Sequence, residues 1–201
     1  VFDNTLSWVG RINDIHALDA VVGISFERTK RRGFGVDAKN YPMDKVLTGI
    51  TNASEIVRKS GSGTVYGLQS SFARINYRLL DKYLLTFTAR YDGSSSFGSN
   101  NRYGFFPSGA IAWRVSDESF MRNVKFLDDL KIKFSVGKTG VQNFDLGSYA
   151  NKDLYSTGSY LDNPSIVHSQ LGNKDIKWET TLQYDLGIDF SILRSLLSGS
   201  M

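Results

Sequence analysis

Apolar and polar side chains alternate with a period of two along most of this 201-residue chain. The clearest run covers residues 16–27, where mostly apolar residues at even positions alternate with small or polar residues at odd positions. Successive side chains of a β-strand point to opposite faces of its sheet, so the pattern predicts strands with one apolar and one polar face. Further runs lie at 5–11, 73–79, 83–92, 105–115, 130–137 and 181–190, and another strand starts near Leu196. We therefore predict about eight strands.

Composition agrees with many strands joined by turns. Aromatic residues make up 13% of the chain, and it contains 19 Gly but only 3 Pro. No window approaches the roughly 18 uninterrupted apolar residues of a membrane-spanning helix, which excludes helical membrane spans. The predicted fold class is all-β, with antiparallel up-and-down strands.

The predicted connections are short or compact on one side of the sheet and long on the other. The short or compact ones are 13–15, 80–82, 116–129 and 192–195, and the long ones are 30–63, 93–103 and 140–177. This asymmetry is typical of outer-membrane barrels. Within the compact connections we expect a helical turn at 117–121, capped by Ser116. Pro107 predicts an irregular start for the fifth strand.

Aromatic residues fall near both ends of the predicted strands. Tyr77, Tyr83 and Trp113 lie on the apolar face near the short connections, and Tyr91 and Phe105 lie near the opposite end. The eight steps from Tyr83 to Tyr91, at about 3.3 Å each and a tilt near 40°, span about 20 Å, close to the apolar band of a barrel. A soluble β-sandwich, with the aromatic residues in its core, remains open because alternation alone does not separate the two folds.

Six segments resemble the SusC/RagA-like family of TonB-dependent outer-membrane receptors. They are DKYLLT at 81–86, RYDGSSSFG at 90–98, NNRYGFFPS at 100–108, AWRVSDESF at 112–120, LKIKFSVGKTG at 130–140 and NKDIKWETT at 173–181. Two positions depart from the family pattern, since Val141 replaces the usual Asn and Lys174 replaces the usual Pro. The resemblance is strong over residues 64–190 and weaker before them.

This resemblance implies that residues 1–201 are a partial TonB-dependent receptor barrel domain, about eight consecutive strands of a transmembrane barrel of about 22. It also implies a plug and a TonB-contacting segment upstream, further strands downstream, and a location in the bacterial outer membrane. We expect any signal peptide to lie upstream as well, because the first residues are not of that type. Eight strands taken from such a barrel leave two unpaired edges, so we expect the isolated segment to aggregate in water.

Two groups of residues are candidates for ligand contact. The lumen-facing polar candidates are Arg74, Arg90, Asp92 and Arg114, together with Lys131 and Lys133. These side chains suit a polar substrate, the plug, or hydrogen bonds to neighbouring strands. The loop aromatics Tyr149, Tyr155, Tyr160 and Trp178 suit stacking on the apolar faces of sugar rings, or packing of the loop against itself.

Other chemistries receive little support. The chain has 2 His and no Cys, and neither His has a nearby partner at metal-ligand spacing, so we expect no metal and no cofactor. Carboxylate pairs at 117–118 and 128–129 fall in predicted turns, where solvated charge is the ordinary explanation. The glycine-containing loop at 92–98 lacks the Lys of a phosphate-binding loop. A net charge of +4 without a long basic run does not indicate nucleic-acid binding.

Two functions are therefore compared. The first is a wall segment of a transporter that imports oligosaccharides or peptides with a SusD-like surface lipoprotein and with energy delivered through TonB, in contact with outer-membrane lipid. The second is a self-contained carbohydrate-binding β-domain, either a sandwich or a small barrel. An outer-membrane hydrolase has less support, because no His-Ser-acid grouping is evident.

Overall fold

Ten strands make up most of the structure, a computed structural model that describes residues 1–42, 46–142 and 147–201. They are β1 (Phe2–Ile12), β2 (His16–Lys39), β3 (Glu55–Leu79), β4 (Tyr83–Ser94), β5 (Tyr103–Arg114), β6 (Leu127–Val141), β7 (Leu154–Tyr160), β8 (Asn163–Gln170), β9 (Glu179–Ile192) and β10 (Leu197–Ser200). Short 3-10 helices lie at Ile50–Asn52, Val115–Asp117 and Ser119–Met121. In these ranges no helix has the length and hydropathy needed to cross a membrane.

Eight of these strands form one antiparallel sheet in the order β1-β2-β3-β4-β5-β6-β9-β10. Strands that follow one another in the chain are neighbours, except that the separate hairpin β7-β8 lies between β6 and β9 in sequence. This confirms the predicted all-β, up-and-down fold of about eight strands. The sandwich alternative is wrong, since a sandwich packs two sheets face to face whereas one open sheet contains these strands.

The register keeps each face of the sheet chemically uniform. One row of paired residues runs across six strands and is apolar throughout: Leu18, Tyr77, Leu85, Ile111, Phe134 and Leu186. The next row points to the opposite face and is small or polar: Asp19, Asn76, Thr86, Ala110, Ser135 and Asp185. A slip of one residue in any pair would mix the two faces, so the alternation in the sequence specifies the register.

The apolar face has no protein packed over it. Its large side chains, such as Leu6, Phe87 and Leu186, are exposed, and the buried apolar residues of the described chain are only Ala17, Phe97, Phe106 and Val115. An exposed apolar surface of this extent is typical of contact with lipid or with another protein.

The short connections hold the sheet at one end. The turns at 13–15 and 80–82 each contain two consecutive residues with positive φ: Asn13 and Asp14 at 53°, Leu80 at 55° and Asp81 at 54°. Left-handed residues in tight hairpins match the twist of the flanking strands. Adjacent turns are also joined, because Leu80 N donates to Ile15 O at 2.8 Å and Arg114 N donates to Lys82 O at 2.8 Å.

The predicted long connection at 30–63 is mostly strand, so this boundary was wrong. β2 continues to Lys39 over 24 residues, and β3 begins at Glu55 and has 25 residues. The apolar alternation ends at Phe26, but backbone pairing continues through small residues such as Gly33 opposite Ser62. A strand pair whose two faces are both mostly polar or small has no apolar alternation, which explains why periodicity missed it.

Three smaller expectations were also wrong. The predicted loop at 140–177 contains the hairpin β7-β8. The fifth strand has no irregular start on the side of β4, because β5 pairs regularly with β4 from Tyr103, with Pro107 opposite Ala89. Pairing of β5 with β6 begins at Ser108, so the missing N–H of Pro107 lies outside that ladder. The turn at 117–121 is 3-10 rather than a capped helix, because Ser116 lies within its first turn and its hydroxyl donates to Asp129 at 3.0 Å.

A charge on the apolar face tests the assignment of the two faces. Phe87 lies midway between Tyr83 and Tyr91 and is 53% exposed. An Arg facing lipid near the bilayer midplane costs about 2–4 kcal/mol, so full-length protein with Phe87→Arg should yield much less folded protein in the membrane fraction. Thr86→Arg is the matched control on the polar face and should assemble nearly normally. The folded fraction is measured on an immunoblot of membranes, as the band whose gel mobility changes when the sample is heated. Equal loss of this band for both variants would contradict the assignment.

Candidate functional site

The polar face of the sheet carries cations whose partners lie on neighbouring strands. Arg74 Nε donates to Thr88 Oγ1 at 3.2 Å, joining β3 to β4. Lys131 and Lys133 on β6 both approach Asp189 on β9, at 3.0 and 2.5 Å. Two cations share this carboxylate, and a second carboxylate, Asp185, lies on the same face of β9 and accepts a hydrogen bond from Ser135 Oγ at 3.1 Å. Cations and carboxylates are therefore equal in number in this part of the polar face.

Arg90 is the most strongly oriented cation of this face. Its Nε donates to both carboxylate oxygens of Asp92, at 2.9 and 2.6 Å, and its Nη2 donates to Ser70 Oγ at 3.1 Å. Asp92 and Ser70 are buried, while about half of the Arg90 side chain is exposed. A guanidinium held in this way keeps donors available for a carboxylate or for sugar hydroxyls.

Arg114 lies at the short-connection end of the polar face. Its Nη1 is 3.6 Å from Asp117, and its Nε is 3.7 Å from Asp129. The structure thus places all four predicted polar residues on the expected face, but it separates Arg114 from the pair formed by Arg90 and Asp92. Arg114 instead joins β5 to the turn that follows it and to the start of β6.

The best-buried part of the described chain is a cluster at the opposite end of the sheet, which we call the loop core: Phe97 and Trp178 from the connections and Phe106 from β5. Phe97 is 3% exposed and Phe106 is 7% exposed. The Trp178 ring lies 4.8 Å from the Phe97 ring and 5.4 Å from the Phe106 ring, and its Nε1 donates to Arg102 O at 3.2 Å. Trp178 therefore packs the loops together in this structure.

Glycine and serine residues make room for the loop core. The Phe106 ring lies where a Cβ on Gly104 or on Gly140 would be, so a larger residue at either position would displace it. The fully buried Ser94 accepts a hydrogen bond from Ser96 N at 3.2 Å. The loop at 92–98, which the sequence predicts only as a hairpin connection, is thus part of the folded core. A signal for this was present in the sequence, namely a Phe placed among small residues.

Tyr149 anchors the connection between β6 and β7. Its hydroxyl accepts a hydrogen bond from Val65 N on β3 at 2.8 Å, and Lys152 Nζ lies 5.4 Å from the centre of its ring. Asn151 Nδ2 also donates to Phe97 O at 2.9 Å. Tyr149 therefore has a structural role in this loop, like Trp178.

The other two predicted aromatics remain accessible on the β7-β8 hairpin. Tyr155 is 64% exposed and packs edge-on against His168, with ring centres 5.0 Å apart. Tyr160 is 73% exposed and precedes the hairpin turn. Ile166, which is also exposed, lies on the same face of the hairpin as Tyr155. Since Tyr155 and Tyr160 are five residues apart on β7, the hairpin presents one exposed aromatic side chain on each of its two faces.

A carboxylate organises the aromatic residues near the short connections. Glu118 accepts hydrogen bonds from Tyr83 Oη at 2.7 Å, Trp113 Nε1 at 3.2 Å and Lys82 Nζ at 3.4 Å. The hydrogen bond from Tyr83, followed by that from Trp113, lowers the pKa of Glu118 below its usual range. Tyr83 and Trp113 are directly opposite each other on β4 and β5.

Aromatic residues also lie together at the other end of the apolar face. The rings of Tyr91 and Tyr103 stack with centres 5.1 Å apart, and Phe105 is directly opposite Tyr91. The two aromatic zones predicted from the sequence are therefore placed at the two ends of the sheet. Within the described ranges, no three potential metal-ligating side chains come together.

Comparison with known proteins gives consistent matches. The model of a family described as TonB dependent receptor-like, beta-barrel, matches residues 2–200. The TonB-dependent receptor SusC of Bacteroides thetaiotaomicron is 39% identical over 192 residues, which cover 91% of this chain and 18% of SusC. The TonB-dependent receptor P39 of Formosa agariphila is 33% identical over 202 residues, which cover 99% of this chain and 19% of that protein.

Solved structures of transporters also match this chain. The RagAB peptide transporter matches with a TM-score of 0.86 and 27% identity, over 98% of this chain and 22% of the matched chain. The RagAB peptide importer in its closed-closed and open-open states gives TM-scores of 0.86 and 0.85. This chain spans about a fifth of the length of the relatives that it matches.

The lowered pKa of Glu118 predicts a pH-dependent contribution to stability. A depressed carboxyl pKa stabilises the folded state above the ordinary carboxyl pKa, and this stabilisation is lost as the pH falls through the folded value. At neutral pH, full-length protein with Glu118→Gln should be less stable than wild type to urea, and the difference should shrink as the pH falls below about 4.5. Tyr83→Phe removes the strongest donor and should weaken the pH dependence. A difference that is constant with pH, or that grows in acid, would contradict the role of this carboxylate.

Proposed function

Since the chain belongs to the TonB-dependent receptor β-barrel family, we propose that it is a wall segment of a transporter that imports oligosaccharides or peptides together with a SusD-like lipoprotein. The protein is located in the bacterial outer membrane. The observation that carries the proposal is the sheet itself, with one continuous apolar face and one charged face across eight strands. A wall between lipid and a polar lumen needs these two faces.

The remainder of the transporter is part of the proposal. A wide barrel needs an internal plug, and an energised receptor needs a segment that contacts TonB. We place both in the full-length protein, of which this chain spans about a fifth as judged by its relatives. The cross-strand cluster of Lys131 and Lys133 with Asp189 suits polar and charged side chains of the plug.

Substrate contact is proposed for Arg90 and for the β7-β8 hairpin. The Arg90 guanidinium is held by Asp92 and keeps free donors, as recognition of a peptide carboxylate or of sugar hydroxyls requires. The exposed rings of Tyr155 and Tyr160 suit stacking on sugars or on apolar peptide side chains. Neither feature needs bond-breaking chemistry, in keeping with the receptor and transporter names of the relatives.

Gating is proposed to lie outside this segment. The sheet matches the closed-closed and open-open forms of the RagAB importer equally well. We therefore expect the wall to stay rigid while the lipoprotein, the plug or the loops move. The self-contained carbohydrate-binding domain is not favoured, since such a domain would bury its apolar residues, and the apolar face of this sheet is exposed.

Uptake measurements test this function. A deletion strain complemented with the full-length gene should take up a labelled oligosaccharide or a labelled peptide, and uptake should cease when TonB is removed. The double variant Tyr155→Ala/Tyr160→Ala should raise the half-saturating concentration about tenfold, because a ring contact contributes about 0.5–1.5 kcal/mol. Phe120→Ala, an exposed aromatic at the other end of the sheet, is the control and should have no effect.

The outcomes are distinguishable. If the wild-type gene restores uptake of neither substrate class, the proposed transport function is wrong. If it restores uptake but the double variant behaves like Phe120→Ala, the assignment of the hairpin is wrong while the function stands.

A further inference from the structure

Three exposed cations lie in one line on β2, immediately beyond the apolar face. Arg28, Lys30 and Arg32 follow Phe26 at every second residue, so they point to the same side of the strand as the apolar residues of 18–26. We call these three residues the basic row. In the described chain none of the three forms an ion pair, whereas Arg90, Lys131 and Lys133 on the opposite face all do.

The neighbouring strand leaves the basic row uncovered. On β3 the residues directly opposite are Gly67, Val65 and Gly63, which have no side chain or a small apolar one. The next outward positions along the two strands add Lys59, opposite Val36, and no acidic residue. This surface of the β2-β3 hairpin therefore carries only positive charge.

The acidic residues of this hairpin lie elsewhere. Glu27 points to the polar face and accepts a hydrogen bond from Thr29 Oγ1 at 2.9 Å. Glu55 is at the far end of the hairpin and pairs with Lys39 at 3.1 Å. Asp37 is an even number of residues from Glu27 on β2, so it also points to the polar face. The charge of the basic row is thus not neutralised within the described parts of the chain.

The height of the basic row matches the head-group layer of a bilayer. From Leu18 to Phe26 the strand rises about 20 Å, at about 3.3 Å per residue and a tilt near 40°, which is most of the apolar band. The apolar band of roughly 25 Å then ends about 5 Å above Phe26, at the height of Arg28. Lys30 and Arg32, at about 10 and 15 Å above Phe26, lie within and just beyond a polar layer about 5–8 Å thick. The side chain of Arg32 is long enough to reach back to this layer.

We propose that Arg28, Lys30 and Arg32 bind the phosphate groups of lipids in the outer leaflet of the outer membrane. Arg binds phosphate through two parallel hydrogen bonds, and Lys binds it as a point charge. The row faces lipid because it continues the lipid-facing side of β2, and not the lumen side on which substrate would pass. This role goes beyond the proposed transport and does not depend on which substrate is imported.

Lipid binding by the full-length receptor tests the proposal. The receptor is purified in a neutral detergent and titrated with mixed micelles that contain a bis-phosphorylated lipid A or its dephosphorylated form, and the bound lipid is counted by native mass spectrometry. Each cation near an anionic lipid surface contributes about fivefold, so Arg28→Gln/Lys30→Gln/Arg32→Gln should weaken binding of the phosphorylated lipid on the order of 100-fold. The single variants Arg28→Gln and Arg32→Gln should each weaken it about fivefold.

The control removes the same charge from other positions of the hairpin. Arg31→Gln/Lys39→Gln/Arg58→Gln neutralises two cations of the opposite face and one at the far end, and binding should stay within a few-fold of wild type. Equal weakening by both triple variants, no weakening by either, or equal binding of the dephosphorylated lipid would overturn the proposal. Displacement of the lipid by millimolar inorganic phosphate would identify a free-phosphate site instead. Uptake is not measured here, so failure of this proposal leaves the transport proposal intact.

Discussion

A backbone amide inside a bilayer has no water to bond, so every strand that crosses lipid must pair with a neighbour on both sides. The eight-stranded sheet meets this requirement for its six inner strands, while β1 and β10 each pair on one side only. The same hydrogen bonds fix the register, and the register decides which side chains meet lipid. The row from Leu18 to Leu186 is apolar across six strands because the two register shifts among the inner pairs, at 37–38 and at 127–129, lie outside it.

Packing in this chain is concentrated at the ends of the sheet instead of beneath it. At one end the loop core of Phe97, Phe106 and Trp178 ties the 92–98 loop to the residues before β9. At the other end Glu118 gathers Tyr83, Trp113 and Lys82 into one hydrogen-bonded group. Between them the polar face is held by cross-strand pairs such as Lys133 with Asp189. A wall stabilised in this way leaves its two faces free for lipid and for the lumen.

Much of this arrangement could be predicted from the sequence, because period-two alternation determines both strand and face. The alternation predicted the faces of Arg74, Arg90 and Phe87 correctly, and the connection lengths predicted the two ends. It failed beyond Phe26, where most residues on both faces of the β2-β3 hairpin are polar or small, and in the β7-β8 hairpin, whose residues are mostly exposed. For Tyr149 and Trp178 the sequence left ligand stacking and loop packing equally open, because the choice depends on loops that meet only in the folded chain, as when Tyr149 accepts from Val65 N.

In the proposed transporter, one face of this sheet meets lipid and the other meets an aqueous lumen. This chain contains no Cys, so single Cys residues at positions 84–89 of β4 can carry nitroxide labels in full-length protein from which any other Cys has been removed. Collision rates with oxygen, which concentrates in lipid, and with a water-soluble nickel complex are then compared by electron paramagnetic resonance. Labels at Leu85, Phe87 and Ala89 should favour oxygen, and labels at Leu84, Thr86 and Thr88 should favour nickel. Equal accessibility to nickel at all six positions would contradict the account.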